Sequence, residues 1–305
     1  MNIRNKKKQR KVIKRNPFIG IEFVDPICDV GFKKIMSNEE ILVDFLNTFL
    51  PRGTPKIVSA TLLPEERLGK KLNSKRVFFD VRAKDNFGKS YIIEVQRKPQ
   101  EFFVERSIYY NSREISSQGE IGKLKKYNFS PVYSISVLNF VPKAKWSKHY
   151  YNVFTYRRKG TNEELTDVTA QIIILLPLMK LSSEKLQDRR AKWCYLLKYA
   201  VKLNRRMLGQ LKWTEDEIFE KIREVLHVSN LSDKELAMLD EAQKIKWDYE
   251  AMIDYNRELA TEEKAKLIAK NMLADGLSIE TIAKYVDLPE SRVRALKASM
   301  SRKKR

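Results

Sequence analysis

The stretch that decides the fold is RVFFDVRAKDNFGKSYIIEVQRK, residues 76–98. It contains two runs rich in β-branched and aromatic residues, and Asp85-Asn86-Phe87-Gly88 separates them with the composition of a tight turn. We therefore predict an antiparallel hairpin with strands over Arg76–Ala83 and Tyr91–Gln96. Side chains alternate along a strand, so Glu94 shares one face with Gln96.

Two acidic residues face each other in this hairpin. Folding it about Phe87 places Asp80 opposite Glu94, since both lie seven residues from that centre. Like charges paired across a sheet destabilise it, so this pairing suggests a cation between them. Two carboxylates with a neighbouring amide or carbonyl suit Mg²⁺. A register shift of one residue would separate the pair, and the alternative interpretation is a solvated hairpin face with ordinary surface acids.

Further α/β elements surround the hairpin. Ser37–Leu50 has the helical spacing of apolar residues, with Asn38 as candidate N-cap and Pro51 as terminator. We also predict strands over Lys56–Leu63 and Val132–Phe140.

A helix is predicted over Glu101–Ser117, and its two faces differ in chemistry. At 100° per residue, its expected core stripe comprises Val104, Ile108 and Ile115. The opposite face carries Phe102, Arg106, Tyr109 and Arg113. Arginines interleaved with aromatic rings suit a nucleic-acid surface. The alternative is that the aromatic residues are buried under the C-terminal helices and the arginines are solvated.

The chain beyond about Gly160 is predicted to be helical. Residues 262–300 have the pattern of three short helices, with Gly276 closing the first and Ser278 capping the second. This spacing suits a helix-turn-helix, whose third helix would bring Arg292 and Arg294 to a DNA groove. Packing or dimerisation is the alternative role for this unit.

Composition indicates the class of partner. The 305 residues include 60 Lys+Arg and 39 Asp+Glu, for a net charge of +21. Such a surplus favours a polyanion, either nucleic acid or an anionic membrane face. Residues 1–16 are predicted to be a basic arm, which binds phosphates non-specifically or serves only solubility. This arm lacks an amphipathic apolar face, which disfavours the membrane.

Several classes of protein are excluded or disfavoured by the sequence. Two cysteines and two histidines exclude a disulfide framework and a histidine-rich metal centre. The longest apolar run, Ile172–Met179, is far below the roughly 20 residues of a membrane span. No apolar segment of a signal peptide follows the basic N-terminus. We therefore expect a cytoplasmic protein.

The order of these motifs resembles a known family. Asp80, followed after a hairpin by Glu94-Val95-Gln96, is similar to the Asp…Glu-x-Gln variant of the PD-(D/E)XK nuclease signature. More specifically, the chain resembles the PD-(D/E)XK family transposases, or Rpn-like recombination-promoting nucleases. The likeness covers roughly residues 22–142. Supporting segments are Cys28–Ile35, Phe45–Asn47, Ile93–Gln96, Arg106–Arg113 and, near the end, Ile268–Gly276.

The resemblance implies roles for individual residues. Asp80 and Glu94 would bind the divalent metal, and Asp29 would be an accessory acid, although a helix N-cap is its alternative role. Gln96 stands where most of these nucleases have lysine; an amide cannot titrate, but it can orient a water. Lys98 could supply the missing positive charge if the strand continues that far.

These observations predict an α/β fold: a restriction-endonuclease-like, PD-(D/E)XK core with a mixed sheet flanked by helices, plus an all-α C-terminal region. The expected activity is Mg²⁺- or Mn²⁺-dependent hydrolysis of DNA phosphodiesters. The alternative is a catalytically inactive nucleic-acid-binding protein that retains the fold; RNA and a dimer are both left open. The expected organisation is a basic arm (1–16), a nuclease-like domain (17–160), a helical region (161–260) and a trihelical, helix-turn-helix-like unit with a basic tail (261–305).

Overall fold

The computed structural model of the chain describes residues 22–51, 53–64, 66–67, 77–78, 80–119, 128–180, 186, 188–200 and 216–302. The predicted basic arm, and Arg76 and Phe79 of the predicted first hairpin strand, lie outside these residues. The chain divides into two compact units, Met1–Glu235 and Leu236–Arg305. Within the described residues, no helix combines the length and the apolar character needed to cross a membrane.

The strands of the first unit are β1 (Ala60–Leu63), β2 (Glu66–Arg67), β3 (Val77–Phe78), β4 (Val81–Asp85), β5 (Ser90–Gln96), β6 (Val132–Leu138), β7 (Tyr151–Arg157) and β8 (Glu164–Leu175). Six of them form a mixed sheet in the order β1-β4-β5-β6-β8-β7. Strands β5, β6 and β8 are parallel to one another, and the remaining neighbours pair antiparallel. The short strands β2 and β3 form a separate two-stranded sheet.

Helices flank this sheet and form the second unit. As the sequence predicts, Asn38 caps the second helix: its side-chain oxygen accepts a hydrogen bond from the Ile41 N–H at 3.2 Å. The helices among the described residues are α1 (Asp29–Met36), α2 (Glu39–Phe49), α3 (Phe103–Gln118), α4 (Arg189–Tyr199), α5 (Glu217–Leu226), α6 (Asp233–Ala274), α7 (Ile279–Val286) and α8 (Glu290–Arg302). This α/β architecture, with its helical C-terminal region, confirms the predicted fold class.

Strand β8 corrects the expectation of helices beyond residue 160. It pairs with both β6 and β7, so the sheet continues past that residue. Its apolar run from Ile172 to Leu175 is almost fully buried. A strand covered on both faces has continuous apolar sequence instead of alternation, and alternation is the signal by which sequence reveals a strand.

Helix α6 corrects a second expectation. The first of the three short helices predicted over 262–300 is the last part of this 42-residue helix. Gly276, with a positive φ of 84°, follows its end, and Ser278 caps α7 by accepting from the Thr281 N–H at 3.1 Å. The end of α6 packs with α7 and α8 around Ala269, Ile282 and Val293, all fully buried.

Candidate active site

The hairpin register brings the two predicted acids together. Strands β4 and β5 pair Val81 with Ile93, so Asp80, which directly precedes β4, continues this register opposite Glu94. The turn fixes the register, because one oxygen of the Asp85 carboxylate accepts from the N–H groups of Phe87 and Lys89, both at 2.9 Å. The predicted pairing of the two acids is confirmed.

Hydrogen bonds to the backbone hold the two carboxylates at the open end of the hairpin. The Val95 N–H donates to Asp80 Oδ2 at 2.8 Å, and the Asp80 N–H donates to Glu94 Oε1 at 3.4 Å. Glu94 is 8% exposed. Burial, reinforced by the charge of Asp80, raises the pKa of Glu94 to about 8. Burial also raises the pKa of Asp80, against the lowering effect of its bond from Val95.

Helix α1 brings a third carboxylate close to this pair. Asp29 is the first residue of the helix, and its charge contributes to the raised pKa of Asp80. It is not the N-cap: the Cys28 sulfur occupies that position and accepts from the Gly31 N–H at 3.3 Å, so the alternative role of Asp29 as a cap is wrong. Lys33, one turn on, pairs with Asp29 at 3.2 Å and lowers the pKa of Asp80.

Two contacts of Asp25 fix α1 beside the end of β5. The Asp25 carboxylate pairs with Arg97, directly after β5, at 2.8 Å. The Asp25 carbonyl oxygen lies so close to Gly31 that a Cβ there would be only 2.3 Å from it. Only glycine permits this approach, which accounts for a glycine in the first turn of a helix.

The positive charges around the acids differ from those expected. Strand β5 ends at Gln96, and Lys98 lies in an exposed bend before Pro99, so the expectation that Lys98 continues the strand face is wrong. Proline lacks a backbone N–H and restricts the residue before it. Gln96 hydrogen-bonds to Glu94. Arg106, expected only as a nucleic-acid contact, lies near both acids and lowers the pKa of each.

A small cavity lies between Glu94 and α3. Its volume is about 10 Å³, space for roughly one water molecule. Sequence reasoning named Arg106 as a site residue but missed the other polar residues that α3 and β6 contribute, although Tyr110 follows Arg106 at helical spacing. The polar side chains lining the cavity belong to Glu94, Arg106, Ser107, Tyr110, Ser134 and Ser136.

The predicted core stripe of α3 is confirmed for Val104 and Ile115, which pack against buried clusters, but polar residues occupy much of the buried face. Ile108 is 47% exposed, whereas Ser107, Asn111 and Glu114 are buried. The reason is the sheet beneath, where Arg82 of β4 forms two 2.9 Å hydrogen bonds to the Glu114 carboxylate.

The outer face of α3 matches the prediction in part. Phe102 and Tyr109 are exposed, so the alternative that they are buried is wrong. Arg106 and Arg113 are half-buried. Whether this face binds nucleic acid stays a prediction.

Arg292 and Arg294 lie exposed on α8 in the second unit. Each pairs with a carboxylate of that unit, Arg292 with Glu262 and Arg294 with Glu290, the latter at 3.0 Å. Their predicted role in DNA binding stays a prediction.

The acids at the hairpin end fit a hard divalent cation. Asp80 and Glu94 offer carboxylate oxygens whose mutual repulsion a cation would relieve, and both have raised pKa values. Among the described residues, no group of three or more His, Cys, Asp or Glu side chains has the arrangement of a complete metal site. Carboxylate oxygens are the ligands that hard divalent cations prefer.

Comparison with known proteins gives one match. A family model described as PD-(D/E)XK nuclease family transposase matches residues 26–256. This range includes Asp29, Asp80, Glu94, Gln96 and Arg106. No curated protein and no solved structure matches the chain.

Proposed function

This chain belongs to the PD-(D/E)XK nuclease family transposases, and from this premise we propose that it is a metal-dependent DNA endonuclease. The observation that carries the proposal is the carboxylate pair of Asp80 and Glu94, linked to the backbone at the open end of the β4–β5 hairpin. Two facing carboxyl groups, one buried at Glu94 and one half-buried at Asp80, can ionise together only at a cost that a bound cation would relieve.

Each residue of the site has a proposed role. Asp80 and Glu94 hold Mg²⁺ or Mn²⁺, and Asp29 assists from α1. When bound, the cation neutralises charge on the phosphate and activates a water. Gln96 orients that water without exchanging a proton. The guanidinium of Arg106 contributes positive charge beside the acids and can donate two hydrogen bonds to a phosphate.

The substrate follows from charge and family. A net charge of +21 favours a polyanion, and a nuclease family implies a nucleic acid. The exposed rings of Phe102 and Tyr109, with Arg106 and Arg113, are the proposed contacts on α3. A role in DNA recombination and a cytoplasmic location are parts of this proposal that rest on the resemblance and the sequence.

A second candidate function is a nucleic-acid-binding protein without catalysis. The observation that favours it is Gln96, because an amide stands at the position of a lysine that most relatives use. The presence of both Asp80 and Glu94 favours the enzyme, since a binding protein has no need of two opposed acids.

The deciding experiment measures nicking and linearisation of supercoiled plasmid with Mg²⁺, Mn²⁺ or EDTA. Asp80→Asn and Glu94→Gln remove one negative charge each while retaining the size of the side chain. Glu220→Gln, at an exposed carboxylate of α5, is the matched control. We expect metal-dependent cleavage by the wild type and the control, and at least a 100-fold loss in both site variants with plasmid binding retained. DNA binding without cleavage under either metal would exclude the enzyme and leave the binding protein.

A further inference from the structure

Helix α6 exposes a row of apolar side chains at a constant spacing of seven residues. The row consists of Met238, Ile245, Met252 and Leu259, and all four side chains are exposed. In a heptad lettered a to g, these residues take position d, and the residues four positions after the first three take position a. We call positions a and d of residues 238–259 the α6 seam. Its a positions are Ala242, Tyr249 and Asn256.

The spacing of the row indicates the kind of surface that covers it. An α-helix has 3.6 residues per turn, so a row at exact seven-residue spacing winds around a straight helix by about 20° per heptad. A second helix with the same repeat can supercoil with the first and contact every member of the row. The row extends over three heptads, a length of about 33 Å. The α6 seam therefore favours another helix over a flat surface or a small ligand.

Asn256 favours a second copy of this chain as the source of that helix. Asn256 is exposed on α6 and takes an a position. A single asparagine at position a specifies the register and the number of strands of a coiled coil, at some cost in stability. Its amide is both a donor and an acceptor, so it is complementary to itself. Two identical helices in register bring these amides together, whereas an apolar partner helix would leave the amide unpaired.

The charges beside the α6 seam favour a parallel pair. Glu241 and Asp248 are exposed and take position g. In an antiparallel pair the g positions of the two helices face each other, and the register with the longest overlap brings Asp248 against Asp248 of the second copy. In a parallel pair, each g position instead faces an e position. The e positions contain no acid: they are Leu239, Lys246, Ile253 and Ala260.

We propose that two copies of this chain associate through a parallel, two-stranded coiled coil formed by the α6 seam. The seam ends at Leu259, before the part of α6 that packs with α7 and α8 around Ala269. The parallel orientation therefore places both trihelical units at the same end of the pair. Two linked units bind a long polyanion more tightly than one unit does, without any new contact. The inference goes beyond the proposed nuclease function and does not depend on it.

The first test measures the mass of the full chain in solution by sedimentation velocity over a concentration series. Ile245→Lys places a positive charge in the seam, where it meets the same charge of the second copy. Trp247→Lys is the matched control, because Trp247 is 58% exposed, close to the 61% of Ile245, but takes position f on the opposite side of the helix. Circular dichroism and thermal melts establish that both variants fold.

We expect a wild-type dimer, a dissociation constant raised at least tenfold in Ile245→Lys, and a change of less than threefold in Trp247→Lys. A wild type that stays monomeric at every concentration would overturn the proposal and leave the row to another partner or another part of this chain. Equal weakening by the two substitutions, or a dimer that Ile245→Lys leaves intact, would also overturn it, because association would then not use the seam.

The second test measures the orientation of the two helices by disulfide crosslinking under mild oxidation. In a parallel pair, each d position lies beside the same position of the second copy, so Met252→Cys should crosslink to itself. Lys244→Cys, at an exposed position c, is the matched control and should not crosslink. Wild type gives the background from Cys28 and Cys194. A dimer in which Met252→Cys crosslinks no more than Lys244→Cys would overturn the parallel arrangement.

Discussion

Glu94 makes the charge of the candidate site depend on pH near neutrality. Its pKa rises to about 8 because the side chain is buried and faces Asp80. In the metal-free protein the folded state therefore retains a proton that the unfolded chain releases near its ordinary pKa of 4.5. The folded state binds more protons over this window, so the free energy of unfolding falls as pH rises from about 4.5 to about 8.

Replacing Glu94 with glutamine should remove this loss of stability. In EDTA, we expect Glu94→Gln and wild type to be similar at pH 5 and the variant to be more stable at pH 8, by at least about 1 kcal/mol or 2–4 °C in Tm. Thermal melts between pH 5 and pH 9 measure the difference. Glu220→Gln should follow the wild-type profile, and parallel profiles for all three proteins would contradict the raised pKa.

The sequence identifies the acids of the site better than the cations around them. Asp80 and Glu94 follow from one hairpin, whose turn and alternation fix a local register. Lys33 reaches the same place through α1, which is distant in sequence, and Arg106 reaches it because α3 packs on the sheet beside Glu94. Lys98 would lie on the face of Glu94 and Gln96 only if β5 continued as far as Lys98, and β5 ends at Gln96. Contacts made by the tertiary fold leave no local pattern, so a single sequence does not reveal them.

Helix α1 shows how a small element positions the site. Gly31 permits the close approach of Asp25, which in turn pairs with Arg97 at the end of β5. Asp29 therefore lies near Asp80 because of the packing beneath it. The position of the third carboxylate, Asp29, therefore depends on the close packing of α1 against the backbone of Asp25.

A methyl group at Gly31 should disturb this arrangement. Gly31→Ala places Cβ 2.3 Å from the Asp25 carbonyl oxygen, so α1 must shift. We expect a loss of about 1–3 kcal/mol in the free energy of unfolding, measured by urea titration, together with reduced cleavage. Gly119→Ala is the matched control, because a Cβ there meets its nearest neighbours at 3.5 Å, an ordinary contact. Equal stability of the two variants would contradict the close packing of α1.

Helix α3 and strand β8 show where sequence patterns fail at the scale of elements. A helical wheel assigns the core by apolar residues, but α3 buries Ser107, Asn111 and Glu114 against polar groups of the sheet. The partners, such as Arg82 and Ser134, come from other elements. For strand β8 the sequence pattern fails for the opposite reason. Its C-terminal part, Ile172–Leu175, is apolar on both faces and therefore shows no alternation.

At the scale of the whole molecule, the net charge of the chain is strongly positive, whereas the candidate site is acidic. Net charge contributes affinity and salt dependence but no sequence specificity. In the second unit, helix α8 carries two exposed arginines that could contribute to this affinity. Arg292 is paired with Glu262, and Arg294 with Glu290. Exposed ion pairs contribute only about 0–1 kcal/mol, so phosphate groups can replace these carboxylates at little cost.

The salt dependence of DNA binding therefore tests whether α8 contacts the substrate. Each lost phosphate contact makes the plot of log K against log salt less steep by about 0.9. Arg292→Gln combined with Arg294→Gln should therefore reduce the steepness by about two. Fluorescence anisotropy with a labelled duplex between 50 and about 300 mM salt measures the slope. Lys244→Gln with Arg257→Gln removes the same charge from exposed positions of α6 and should leave the slope nearly unchanged. An unchanged slope for the α8 variant, with binding intact, would instead favour packing or dimerisation as the role of the trihelical unit.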